Sequence, residues 1–213
     1  GEKSREYIIE RAREITSYLI GHGADIIVVA CNTATAAAIG TLRNEFPVPF
    51  IGMEPAVKPA AMSTRTGVVG VLATAGTLKA DKYLNTRGRF SEKIKIAEHV
   101  GQGFVETVEK GLMTGDEAED IVRTSLKPLL DEGADRIVLG CTHYPFLMET
   151  IKKISDELYP ERAVEIIDPA PAVARHLLEV MEEEGLVRKD GFSMTLDSSG
   201  DMKQLENIYE RLL

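Results

Sequence analysis

Gly23-Ala-Asp-Ile-Ile-Val-Val-Ala-Cys-Asn-Thr33 decides the fold, because it returns as Gly133-Ala-Asp-Arg-Ile-Val-Leu-Gly-Cys-Thr-His143, identical at six of eleven positions. The offset is 110 residues. Each copy is a short apolar run, rich in β-branched residues and bounded by loops, which suits a strand buried in a parallel sheet. Two weaker echoes follow in the same order. Pro55-Ala-Val57 matches Pro171-Ala-Val173, and Leu72-Ala-Thr-Ala-Gly76 matches Leu196-Asp-Ser-Ser-Gly200. Self-similarity of this kind marks duplicated structural units.

Outward from these runs, strands and helices alternate. Ile8, Ala12, Ile15 and Leu19 share one helical face, so 4–20 reads as an amphipathic helix ended by Gly21 and Gly23. Further strand-like runs lie at about 48–52, 67–73, 93–98, 163–168 and 192–196. Helical patterns lie at about 34–45, 55–63, 77–85, 116–131, 145–157, 171–185 and 201–213. The alternation predicts an α/β fold: two pseudo-symmetric three-layer αβα domains with mostly parallel sheets and the active site in the cleft between them. The expected division is 1–92 and 93–199, with the helix at 200–213 rejoining the first domain. The second half reaches its cysteine strand from the strand at 93–98, whereas the first half reaches Cys31 from a helix only. The first half therefore reads as missing its opening strand.

The chain has 213 residues, 44% hydrophobic and 28% charged, ordinary values for a globular protein. A formal charge of −9 argues against a general nucleic-acid binder. It leaves room for an anionic substrate, since backbone N–H groups bind carboxylates whatever the net charge. No run approaches a membrane span and no signal peptide opens the chain, so the cytoplasm is the default location. There the two cysteines, Cys31 and Cys141, are expected as thiols, with a disulfide as the alternative. His99, His143 and His176 show no ligand spacing, and no metal is expected.

Ligands of parallel α/β sheets collect at the carboxyl ends of the strands, where both cysteines fall. Two halves packed face to face would set one sulfur on each side of a bound molecule. Taking a proton from one face of a carbon and returning one to the other is racemisation. Thiol and thiolate suit it, because a pKa of about 8.5 keeps both states within reach of neutrality. A helix start after each cysteine would favour the thiolate. Asn32, Thr33 and Thr142 could hold substrate carboxylates, and His143 is placed to assist proton transfer. The plainer readings are a cysteine as core filler and a histidine satisfied in its loop. The duplication favours function, since each half presents the same residue type at the same place.

At Ala30-Cys-Asn-Thr33 and Leu139-Gly-Cys-Thr-His-Tyr-Pro145 the chain resembles the glutamate racemases of the aspartate/glutamate racemase superfamily. The resemblance extends through Lys3-Ser4, Ile51-Gly-Met-Glu-Pro-Ala56, Leu72-Ala-Thr-Ala-Gly-Thr77 and Phe104-Val-Glu-Thr-Val-Glu-Lys-Gly111. It implies interconversion of L- and D-glutamate without pyridoxal phosphate or any other cofactor, supplying D-glutamate for peptidoglycan, and it suggests a homodimer. By resemblance Cys31 is the base toward D-glutamate and Cys141 the base toward L-glutamate. His143 and Glu109 match residues that assist Cys141, while Asn32, Thr33, Thr74, Thr77 and Thr142 match the substrate pocket. A solvated face is the simpler reading of Glu109, beside Glu106, and a helix N-cap that of Thr77. Lys58 and Lys79 read as surface residues. The family opens with a strand ending in Asp-Ser-Gly-x-Gly-Gly, which has no counterpart in these residues. The alternatives are a racemase of aspartate or another acidic amino acid, and an inactive relative kept for binding or regulation.

Overall fold

The computed structural model describes residues 3–187, 191 and 193–212. In chain order the elements are α1 (Arg5–Gly21), β1 (Ile27–Val29), α2 (Asn32–Glu45), β2 (Phe50–Gly52), α3 (Val57–Ser63) and β3 (Val68–Ala73). There follow α4 (Ala75–Leu78), α5 (Asp81–Gly88), β4 (Lys95–Val100), α6 (Phe104–Glu109), α7 (Asp116–Asp131) and β5 (Arg136–Gly140). A 3₁₀ turn (Tyr144–Leu147), α8 (Met148–Leu158), β6 (Glu165–Ile167), α9 (Ala170–Glu183) and α10 (Met202–Leu212) complete the list. No helix among the described residues is long and apolar enough to cross a membrane.

The strands form two sheets, β1-β2 and β4-β3-β5-β6, and every pairing is parallel. The α/β class and parallel sheets agree with the sequence reading. The repeat survives down to the register: Ile27 pairs with Phe50, and Ile137, its counterpart 110 residues on, pairs with Ile166, which is 116 residues beyond Phe50. These are the offsets of the first two of the three sequence echoes. β1-β2 and β5-β6 are thus the same two-strand unit built twice.

Three expectations need correction. The division expected at 92/93 separates β3 from its neighbour β4, yet β3 lies between β4 and β5 in the larger sheet. The sheets change over before β3, because both of its edges are taken by strands of the second half. The last helix, α10, does not return to the first sheet. Leu212 packs on the second-half core and Arg211 donates to the Lys110 carbonyl, while α9 lies against β2. Third, no strand forms at 193–196, although residue 192 lies outside the described residues. A strand needs a neighbour for its ladder, and Met194 in this run is 50% exposed rather than packed.

The helix expected at 77–85 is two pieces, α4 and α5, and the one at 145–157 begins with the 3₁₀ turn, which carries Pro145 in its first turn where a missing N–H costs nothing. α7 forms for ordinary reasons. Its first turn carries Asp116, Glu117 and Glu119, and its buried face is Ala118, Val122, Leu126, Leu129 and Leu130 at helical spacing. That face joins Ile137, Leu139, Phe104 and Leu147 in the main core. In the first half, α1 and α2 cover β1 and β2 through Ile9, Leu19, Ile39, Leu42 and Phe50. The expected apolar stripe of α1 is only partly buried: Ile15 is 45% exposed and Val28 of β1 is 38% exposed. A groove of about 250 Å³ runs between them, because no described strand covers that edge of β1.

Candidate active site

β1 ends at Val29 and β5 at Gly140, so both cysteines sit just past the carboxyl ends of equivalent strands. Cys31 is the N-cap of α2 and its sulfur accepts from the Ala34 N–H at 3.5 Å. The thiol is exposed and free. Thr35, which no sequence motif marks, fixes this corner. Its buried hydroxyl donates to the Val29 carbonyl at 3.1 Å and accepts from the Met53 N–H at 3.0 Å, tying the ends of β1 and β2 to α2.

Cys141 is half-buried against the main core. The expectation that a helix start lowers both thiols fails at this position. Burial pushes the Cys141 thiol up and the neighbouring Cys31 sulfur adds to the rise, while the His143 and Tyr144 N–H groups act against it. The residues that follow form a 3₁₀ turn rather than a long α-helix, so the aligned dipoles are few. His143 Nδ1 lies 3.9 Å from the Cys141 sulfur, and His143 Nε2 lies 3.5 Å from Glu109 Oε1. The structure therefore brings Glu109, His143 and Cys141 into one line, with α6 supplying the glutamate. α6 starts at Gly103, whose φ of 82° is left-handed backbone that glycine adopts without strain.

Tyr144 anchors this turn and escaped sequence reasoning. It is fully buried, its hydroxyl donates to the Gly101 carbonyl at 3.2 Å, and its ring meets Phe104 edge-on with centroids 4.8 Å apart. Burial raises its hydroxyl pKa, keeping it a neutral donor. Gly101 is required there, since a Cβ would fall 2.6 Å from the tyrosine oxygen.

Three of the substrate-pocket candidates meet one another. The hydroxyls of Thr33, Thr74 and Thr77 form a triangle with separations of 3.0, 3.2 and 3.0 Å, joining α2 to the end of β3 and to α4. The N-cap of α4 is Thr74, which accepts from the Thr77 N–H at 3.2 Å, so Thr77 is not the cap. Asn32 is 3% exposed, and neither its carbonyl nor its NH₂ has a partner in the structure. Such a group is costly to bury unless a ligand or water satisfies it. Asn32 is among the residues around a small cavity of about 20 Å³, with Thr77 and Tyr83. Thr142 lies half-buried beside Cys141. Together these groups offer hydroxyl, amide and helix-start N–H donors of the kind that hold carboxylates.

The chain matches a family model described as Asp/Glu/Hydantoin racemase over residues 1–177. It is 44% identical to the glutamate racemase of Ectopseudomonas mendocina, covering 100% of this chain and 80% of that one. It is 47% identical to the glutamate racemase of Methylococcus capsulatus, over 89% of this chain and 68% of that one. Among solved structures, Escherichia coli glutamate racemase in complex with L-glutamate and an activator superposes with a TM-score of 0.81 at 31% identity, covering 99% of this chain and 80% of that one. The chain belongs to the Asp/Glu/hydantoin racemase family and, within it, to the glutamate racemases.

Proposed function

We propose that this chain interconverts L- and D-glutamate with Cys31 and Cys141 as the two acid/base groups and with no cofactor. One thiolate takes the α-proton, the electron pair left on the α-carbon spreads into the adjacent carboxylate, and the other thiol delivers its proton to the opposite face. One thiolate and one thiol remain, with their places exchanged, ready for the reverse turnover. The observation that carries the reading is the shared position of the two cysteines, one past each of two strands in the same repeated register. His143, backed by Glu109, orients and serves Cys141. Asn32 and the threonine triangle seat the carboxylates, so the orphaned Asn32 amide gains its partners when substrate binds. D-Glutamate so formed supplies peptidoglycan in the cytoplasm, where both thiols stay reduced, and the working form is a homodimer.

The test is circular dichroism of each pure enantiomer of glutamate and of aspartate after addition of the protein. Signal from L- and D-glutamate should decay to zero, and aspartate should decay far more slowly. Turnover of aspartate with none of glutamate would refute the assignment of substrate. Inertness toward both would leave a binding relative instead.

A further inference from the structure

A cavity of about 510 Å³ opens where the first turns of α1 and α2 meet the turn between α4 and α5. Its wall includes Thr33, the first-half corner of the threonine triangle. Around it stand Lys3, Arg5, Lys79 and Lys82, with Asp81 as the opposing charge on the wall. Lys82 is engaged by Glu54 at 2.5 Å, and Lys3 lies over the Tyr7 ring, 5.7 Å from its centroid. Arg5 and Lys79 are exposed. Among the described residues, even with Asp81 and Glu54 counted, cations outnumber carboxylates here by two, on a chain whose net charge is −9.

That sign inversion has a use. Glutamate carries two carboxylates and one ammonium, so the field of the whole chain repels it. A concave wall of cations reverses the local potential and raises the concentration of anions in front of it. We propose that this cavity is a vestibule for the acidic amino acid, in which Arg5 and Lys79 collect a carboxylate and release it to the hydroxyls at Thr33. Lys3 and Lys82, each already engaged, set the background potential. The vestibule rests on the racemase reading, and it assigns Lys79 a role that its sequence did not suggest.

Arg5→Glu with Lys79→Glu tests it, against the conservative pair Arg5→Lys with Lys79→Arg and against Lys152→Glu, remote on α8. Glutamate kinetics are measured for each from about 0.01 to 1 M salt, over which the screening length falls from about 30 to 3 Å. In native protein KM should rise with salt. Charge reversal should raise KM about tenfold at low salt and invert its salt dependence, so that KM falls as salt rises, with kcat moving by less than about twofold. The conservative pair and Lys152→Glu should keep the native salt response. A KM indifferent to reversal and to salt overturns the vestibule and leaves the racemase reading standing. If native protein fails to turn over glutamate, the racemase reading falls, and the vestibule is decided by a nuclear magnetic resonance titration with glutarate. Saturable shifts of the Arg5 and Lys79 side-chain signals, lost on reversal, support it, and their absence overturns it.

Discussion

Replacing either cysteine with serine should lower racemisation of glutamate by about 10³-fold, with the fold intact. A serine hydroxyl has nearly the shape of a thiol, but its proton is too tightly held to leave near neutral pH. Because the two bases act on opposite faces, neither can replace the other. Cys31→Ser and Cys141→Ser should therefore be equally poor racemases. They should differ on a glutamate analogue with a good β leaving group: each variant keeps one base and should still eliminate from one enantiomer only, the two variants choosing opposite enantiomers. Chiral chromatography of the residual analogue reads this directly. Full racemisation by either variant contradicts the mechanism. The pH profile should differ too. Burial raises the Cys141 thiol, so the direction in which Cys141 is the base should gain rate toward higher pH, as its thiolate fraction grows.

Asp135→Ala should cost about 3–5 kcal/mol of folding stability, the range for breaking a buried ion pair. Asp135 and Arg136 are 3% and 6% exposed, at the ends of the central strands opposite to the site. The carboxylate accepts from the Thr64 hydroxyl at 2.5 Å, the Arg65 N–H at 2.8 Å and the Thr66 hydroxyl at 3.1 Å, and Arg136 Nη1 lies 3.2 Å away. Alanine takes the acceptor from the Arg65 N–H and leaves the Thr64 and Thr66 hydroxyls only the Val68 carbonyl. It leaves the buried Arg136 with Ser63, a backbone carbonyl and the exposed Glu165 in place of a buried carboxylate. Burial alone would raise the Asp135 carboxyl, but the hydrogen bonds and the arginine outweigh it and hold it below its ordinary value. A depressed carboxyl stabilises the fold above its unfolded pKa of about 3.9 and loses that contribution as pH falls through the folded value. Urea melts should show the native protein weakening below about pH 4 and Asp135→Ala weakening less there, since Glu45, Asp131 and Asp197 are also held low. A variant within about 1 kcal/mol of native stability would show that the network around Asp135 contributes little.

The same aspartate shows what the sequence conveys and what it withholds. Gly-Ala-Asp opens both repeat copies, yet Asp135 is buried and Asp25 is exposed. The difference comes from the turn at 64–67 leading into β3, which caps Asp135. No described strand lies on the corresponding edge of β1. The repeated strands, their parallel pairing and both cysteines were legible, because each rests on a local pattern that two copies confirm. Which sheet takes β3 was not legible, since a strand buried on both edges looks alike whichever neighbours it has. Glu109 needed the family resemblance, because an exposed glutamate announces nothing until α6 sets it 3.5 Å from His143. The roles of Thr35, Tyr144 and the orphaned Asn32 depend on burial and partners, which composition and spacing do not carry.

The two-base mechanism is tested most directly by running early turnover of pure L-glutamate in heavy water and analysing both enantiomers by mass. Two separate bases predict that D-glutamate carries deuterium at its α-carbon from the first turnovers, while the remaining L-glutamate stays unlabelled. The same pattern should appear in mirror image from D-glutamate. Deuterium entering both enantiomers at comparable rates from the start would mean one group serving both faces, and the opposed roles of Cys31 and Cys141 would be contradicted.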